Sequence, residues 1–329
     1  MNGFFNKILK HWCRYLIIAI LLILALAWGF NNLKLKCHLQ AEVSAQEEQQ
    51  ITWQMQNIAA WTCGAIRSTD TVVVITPEFY EDVFNSEKIA AYNVDQRANY
   101  VLTAFKRSFN DPFAVANDVS ALTKELRKTY SRIIIVGHSK ASTINIAMLE
   151  YLSTVDYDYM VNISATYSGT PLTMPEKIYE ILAPKKILFW NYGKQLYDFY
   201  FGIFDGGMAD KIIREDSEFL KQLDYSKIDK NKFINITAKS GFKSFMYDFW
   251  NFDSEGMGLP FLNCILNLNG DGIVPLKSQK SHMDDEITAI SISASHKSSY
   301  KIGVKKALDI IEKCDTKTAG NFPCHLFLS

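Results

Sequence analysis

The chain has 329 residues, of which 48% are hydrophobic and 13% aromatic, with 16 glycines and 8 prolines. That length suits one large or two ordinary domains, and the apolar share is ample for a buried core, so disorder and collagen-like repeats are excluded. Thirty-five basic residues balance 35 acidic ones, and no Lys/Arg run interleaved with aromatics is present to follow a phosphate backbone, which sets nucleic acids aside as partners.

Residues 1–36 stand apart. Lys7, Lys10 and Arg14 precede the uncharged block Tyr15–Phe30 (YLIIAILLILALAWGF). A basic flank before an apolar block keeps the N-terminus in the cytoplasm while the chain beyond it crosses the membrane. The block is short for a helix spanning about 30 Å of hydrocarbon and long for a signal core of roughly 7–15 residues. Ala25 and Ala27 form an A-x-A pattern, but Trp28 makes a poor cleavage site, and Trp12 and Trp28 suit a membrane interface. An uncleaved anchor is therefore expected, with a domain on the periplasmic or extracellular face; cleavage would make the protein secreted. Residues 37–68 are expected to form a linker with a helix through Thr62.

Residues 69–313 read as one domain. TVVVIT (Thr71–Thr76) and RIIIV (Arg132–Val136) are β-branched runs of the kind found in strands buried on both faces. Between them a loop and two helical stretches are expected, the second over Phe113–Tyr130, with Asp111-Pro112 as cap and first position. Further helices are predicted over Ala141–Tyr151 and Tyr300–Lys313, and further strands at Tyr159–Tyr167, Phe233–Ala238 and Glu286–Ser293. Alternating βα units imply a mostly parallel sheet flanked by helices. An insertion over residues 172–215 (KKILFWNYGKQLYDFYF within it) is dense in aromatics without a single-face stripe, as expected of a cap over an apolar ligand. Its Phe189, Trp190, Tyr197 and Phe201 are candidate substrate-pocket residues, together with Tyr80 and His138.

Five cysteines follow the apolar block (Cys37, Cys63, Cys264, Cys314 and Cys324), an odd number that allows at most two bridges. Cys314 and Cys324 bracket the tail, residues 314–329, where a disulfide and free thiols are equally open readings. No Cys/His spacing suggests zinc, and no cofactor is implied. The Asn-x-Ser/Thr triplets at Asn162 and Asn235 fall inside apolar strands and read as chance.

The sharpest signal is RIIIVGHSKAS (Arg132–Ser142). A buried strand runs into Gly137-His138-Ser139-Lys140-Ala141 and then a helix, placing the serine on a tight turn that tolerates only small residues two before and two after. The helix N-terminus favours a developing oxyanion there. A serine nucleophile needs a base and an orienting acid. Asp271, in the Gly-flanked turn of NLNGDGIVPLKS, and His296, past the last strand in ISISASHKSSY, supply them in the order such a fold requires. Asp248 and Asp253 remain alternatives for the acid. His138, inside the turn, is expected to point away from the nucleophile.

With GHSKA, the strings SGTPL (Ser168–Leu172), DSEFLKQLDYS (Asp216–Ser226) and GDGIVPLKS (Gly270–Ser278) make the chain resemble the lipase and acyltransferase-like branch of the α/β-hydrolase superfamily over about Thr71–Lys313. The resemblance implies an α/β-hydrolase fold, Ser139 as nucleophile, Asp271 as acid, His296 as base and the Lys140 amide as one oxyanion donor. Lipases often carry His-Gly where Thr76-Pro77 stands; Pro77 has no N–H, so the second donor falls to Glu78 or Phe79. The expected activity is hydrolysis of carboxylic esters of apolar acyl chains, with lipid or other apolar esters and the membrane as partners. Acyl transfer, thioester cleavage and a non-catalytic binding role are the alternatives.

Overall fold

A computed structural model describes residues 52–62, 66–76, 94–105, 114–151, 156–170, 214–215, 217–250, 269–280 and 289–317. The apolar block, residues 77–80, the cap aromatics Phe189, Trp190, Tyr197 and Phe201, Asp253 and Cys324 lie outside them. Among the described residues no helix is long and apolar enough to cross a membrane.

Eight strands form one sheet: β1 (Thr52–Gln54), β2 (Ile58–Thr62), β3 (Thr71–Ile75), β4 (Asn99–Phe105), β5 (Arg132–His138), β6 (Tyr159–Ile163), β7 (Phe233–Ala238) and β8 (Ala289–Ile292). Their order is β1-β2-β4-β3-β5-β6-β7-β8. From β4 to β8 every pairing is parallel. β2 runs antiparallel to both β1 and β4. The described helices are α1 (Ala114–Arg127), α2 (Lys140–Tyr151), α3 (Glu218–Gln222), α4 (Phe242–Trp250), α5 (Leu276–Lys280) and α6 (His296–Lys317).

Two layers of helix cover the sheet because its central strands are apolar on both faces. Ile134 and Val136 of β5 join Val304, Ala307, Leu308 and Ile311 of α6 in one core. Ile135 of β5 meets Val115 and Val119 of α1 and Ile144 and Met148 of α2 in another, while Ile133 packs with Leu122 and Leu126 of α1. The α1 residues Val115, Val119, Leu122 and Leu126 recur every three or four positions, giving one apolar stripe that faces the sheet. Gly303 lets α6 lie close to β6, since a Cβ there would come within 2.9 Å of Ile163.

Two expectations are corrected. The helix through Thr62 is instead the β1–β2 hairpin. IAAWT carries helix-favouring alanines, yet Ile58 to Thr62 are all buried and pair residue by residue with β4, and the buried carboxylate of Asp118 on α1 accepts the Ile58 N–H at 3.0 Å. β4 itself falls within the stretch read as loop and helix. Its residues from Asn99 to Thr103 are all buried, so the polar–apolar alternation that marks a half-exposed strand is absent.

Candidate active site

The turn after β5 is held by backbone strain and close packing. Ser139 has φ 55°, in the left-handed region that costs a non-glycine residue about 1–3 kcal/mol. Its N–H donates to Ile163 O at 2.9 Å, and its carbonyl accepts the Ser142 N–H at 3.2 Å as α2 begins. Gly137 has no free space for a side chain: a Cβ there would lie 2.6 Å from Asn145 Nδ2 and 2.8 Å from the Ala141 carbonyl. Ser139, partly buried, therefore stands at the carboxyl end of β5, immediately before the first turn of α2.

At the same rim the Asp271 turn is gripped from four directions. Gly270 O accepts the Ser240 N–H at 2.8 Å, and Asp271 O accepts the His296 N–H at 2.9 Å. Ile273 O accepts from Thr170 Oγ1 at 2.6 Å, and Val274 O from Gln279 Nε2 at 2.9 Å. Gly272, at φ 104°, supplies the backbone reversal. The Asp271 carboxylate is fully buried. Its Oδ1 accepts the amides of Ile273 at 2.9 Å and Val274 at 2.7 Å, and its Oδ2 lies 2.7 Å from His296 Nδ1. Burial pushes the carboxyl pKa up, but the His296 charge, its hydrogen bond and the two amides prevail and hold it below the usual carboxylate range. An ionised carboxylate only accepts, so Nδ1 of His296 carries the proton and Nε2 is the basic nitrogen.

His296 is the first residue of α6, whose helix starts four residues earlier than Tyr300–Lys313 predicts. The Ser295 N–H donates to Ser298 Oγ at 3.1 Å as the helix begins. The hydrogen-bond succession runs from Asp271 to His296 and, among the described residues, no hydrogen bond extends it to the Ser139 hydroxyl; such links often tighten only with substrate bound. Asp248 is buried on α4, and the carboxylate joined to His296 is that of Asp271.

His138 does not face a ligand through its Nε2. That nitrogen lies 3.0 Å from His296 O and 2.9 Å from Ser299 Oγ, so it donates to the start of α6. Its ring lies 4.7 Å from the His296 ring and edge-on to Tyr300. Sequence reasoning missed this contact because the partners are about 160 residues apart.

Behind the rim runs a buried chain of amides and hydroxyls. Thr76 Oγ1 donates to Asn145 Oδ1 at 2.5 Å, and Asn145 Nδ2 to Asn162 Oδ1 at 2.8 Å. Asn162 Nδ2 donates to Tyr167 OH at 2.9 Å, Tyr167 OH to Asn235 Oδ1 at 3.3 Å, and Asn235 Nδ2 to Gln279 O at 3.0 Å. Asn162 and Asn235 are fully buried, so the two triplets serve this chain and are closed to glycosylation in the folded protein. Thr76 spends its hydroxyl on it too. Cys314, buried near the end of α6, is disulfide-bonded, and every other cysteine lies outside the described residues.

The mostly parallel sheet with its antiparallel second strand, the helices on both faces and a serine in left-handed backbone between β5 and α2 fit the α/β-hydrolase fold. No protein-family model matches the chain, and no curated protein matches it. Among solved structures it is similar to the mature Bacillus licheniformis lipase BlEst2, with 13% identity over 76% of this chain and 95% of that one and a TM-score of 0.47. It is also similar to a lipase/esterase from Lactobacillus plantarum, at 11% identity, 80% and 98% coverage and TM-score 0.40. The Pyrococcus furiosus esterase Pf2001 gives 9% identity, 80% and 88% coverage and TM-score 0.39.

Proposed function

We propose that this chain is a serine hydrolase of carboxylic esters with apolar acyl chains, tethered to a membrane by its N-terminal block with the catalytic domain outside the cytoplasm. The observation that carries the reading is the buried Asp271–His296 pair, set at the same sheet rim as a serine in strained left-handed backbone. The Ser139 hydroxyl attacks the ester carbonyl while His296 Nε2 takes its proton, and Asp271 steadies the imidazolium through Nδ1. The Lys140 amide, in the first turn of α2, and an amide at Glu78 or Phe79 stabilise the oxyanion. His296 then protonates the leaving alcohol, and water drawn in by the same imidazole releases the acid from Ser139. The apolar acyl preference is supported by the aromatic insertion over residues 172–215, and the orientation by the basic flank of the apolar block and by the disulfide at Cys314.

A fluorophosphonate probe tests both parts. It is expected to label the detergent-solubilised full chain and not Ser139→Ala; equal labelling of the two ends the proposal. On spheroplasts carrying the full chain, a membrane-impermeant form of the probe is expected to label the wild type, and labelling only after lysis of the spheroplasts overturns the orientation.

A further inference from the structure

We infer that Gln279 is a positioning residue for Asp271, setting the acid turn against the end of β7; the inference rests on the reading of Asp271 as the acid of a triad. β6 pairs with β7 only as far as Ile163 opposite Ile236, after which Ser164, at φ 51°, turns the chain away. Ala238, two residues further along β7, has no β6 residue opposite it. The fully buried carboxamide of Gln279 stands in for the missing peptide group: Oε1 accepts the Ala238 N–H at 2.6 Å, and Nε2 donates to Ala238 O at 3.0 Å.

The second N–H of that carboxamide goes to Val274 O at 2.9 Å, and the Val274 N–H donates to Asp271 Oδ1 at 2.7 Å. Three hydrogen bonds, two to Ala238 and one to Val274, therefore connect the end of β7, through one side chain, to the turn that carries the carboxylate. The Gln279 backbone is itself fixed, its N–H donating to Pro275 O at 3.1 Å and its carbonyl accepting from Asn235 Nδ2 at 3.0 Å. All three hydrogen-bonding functions of the amide are used, and no other residue type of that length offers one acceptor and two donors in a plane.

The test compares full-length wild type, Gln279→Met, Gln279→Glu and Asp271→Asn. Methionine fills the volume without hydrogen bonds, whereas glutamate keeps the acceptor for the Ala238 N–H and loses the donors for both Ala238 O and Val274 O. Expected for Gln279→Met is a kcat about 10- to 100-fold lower, the scale of a small misplacement of a catalytic group, with KM little changed. Its acid limb in kcat/KM is expected at lower pH, because an imidazolium less well supported by Asp271 loses its proton more readily. The far-downfield proton resonance of His296 Nδ1–H, absent in Asp271→Asn, is expected to shift or broaden in Gln279→Met. A resonance and pH limb identical to wild type, even with a lower denaturation midpoint, mean a merely structural role and overturn the inference. If Gln279→Met does not fold, Gln279→Glu is read by the same criteria. Because the resonance needs no turnover, a wild type that hydrolyses no ester but shows the Gln279-dependent resonance refutes the proposed function and leaves the positioning intact.

Discussion

The Ser139 turn and the Asp271 turn reach the same rim by opposite means. Between Gly137 and Ala141 the geometry comes from contiguous residues: small side chains at both ends, a strained serine between them and backbone bonds into α2 and β6. Between Gly270 and Val274 it comes largely from afar, the carbonyls of Gly270, Asp271 and Ile273 accepting from Ser240, His296 and Thr170, and that of Val274 from the side chain of Gln279 on the following helix. The first turn is specified by what cannot be larger, the second by what must be able to hydrogen-bond. Substitutions should accordingly damage the first through crowding and the second through lost polar partners.

The comparison breaks most visibly at the carboxylate. Asp271→Asn keeps the shape of the turn but offers Nδ1 of His296 a neutral partner, and kcat/KM is expected to fall about 10³- to 10⁴-fold, as for an acid-to-amide change in a triad. The stability effect has a definite sign. The folded-state pKa of Asp271 lies below its unfolded value of about 3.9, so its stabilisation is fully present above that value and is lost as pH falls through the lower folded one. Urea midpoints of wild type and Asp271→Asn, measured from pH 7 downwards, should therefore converge in acid; a constant gap would contradict the charge-based account of the turn.

Crowding is the counterpart at the Ser139 turn. Gly137→Ala sets a methyl 2.8 Å from the Ala141 backbone, in the first turn of α2, and 2.6 Å from the amide that Asn145 gives to Asn162. A loss of about 1–3 kcal/mol, typical of overpacking, is expected in urea denaturation, with weaker fluorophosphonate labelling as Ser139 shifts. Ser240→Ala provides the contrast in the Asp271 turn. The Ser240 backbone N–H still holds Gly270 O at 2.8 Å while the longer hydroxyl contact at 3.3 Å disappears, so the change should stay within about 0.5–1.5 kcal/mol.

The same contrast explains how much was legible in the sequence. TVVVI, RIIIV and FINITA read correctly as strands because β-branched runs buried on both faces leave a local mark, and GHSKA read as a turn because its size limits are local. β2 and β4 did not: their alanines and leucine favour helix as readily as strand, and their pairing with each other is a tertiary choice. Asp271 and His296 stood out through Gly-flanked and strand-end contexts that are also local. Gln279, Ser240 and His138 carry no such mark, since a hydrogen bond across about 30 to 160 residues has no period to detect. Thr170 is intermediate: the string SGTPL drew notice to it, but only the fold shows that its hydroxyl ends on Ile273 O.

His138 belongs to both turns and offers the smallest and most discriminating change. It lies in the Ser139 turn, yet it works as the partners of the Asp271 turn do, donating from Nε2 to His296 O and Ser299 Oγ while its ring backs the His296 ring. Ser299 Oγ also accepts from Ser164 Oγ and donates to His296 O, so a removed donor leaves the network partly satisfied. His138→Leu is expected to cost about 1 kcal/mol, near the net value of one hydrogen bond, and to lower kcat severalfold, since the carbonyl it loses belongs to the base itself. His138→Gln restores an N–H donor at similar reach and should recover part of both losses. If leucine and glutamine behave alike in urea denaturation and in turnover, the ring's packing against His296 matters and its hydrogen bond does not, and the Ser139 turn is then governed by size throughout.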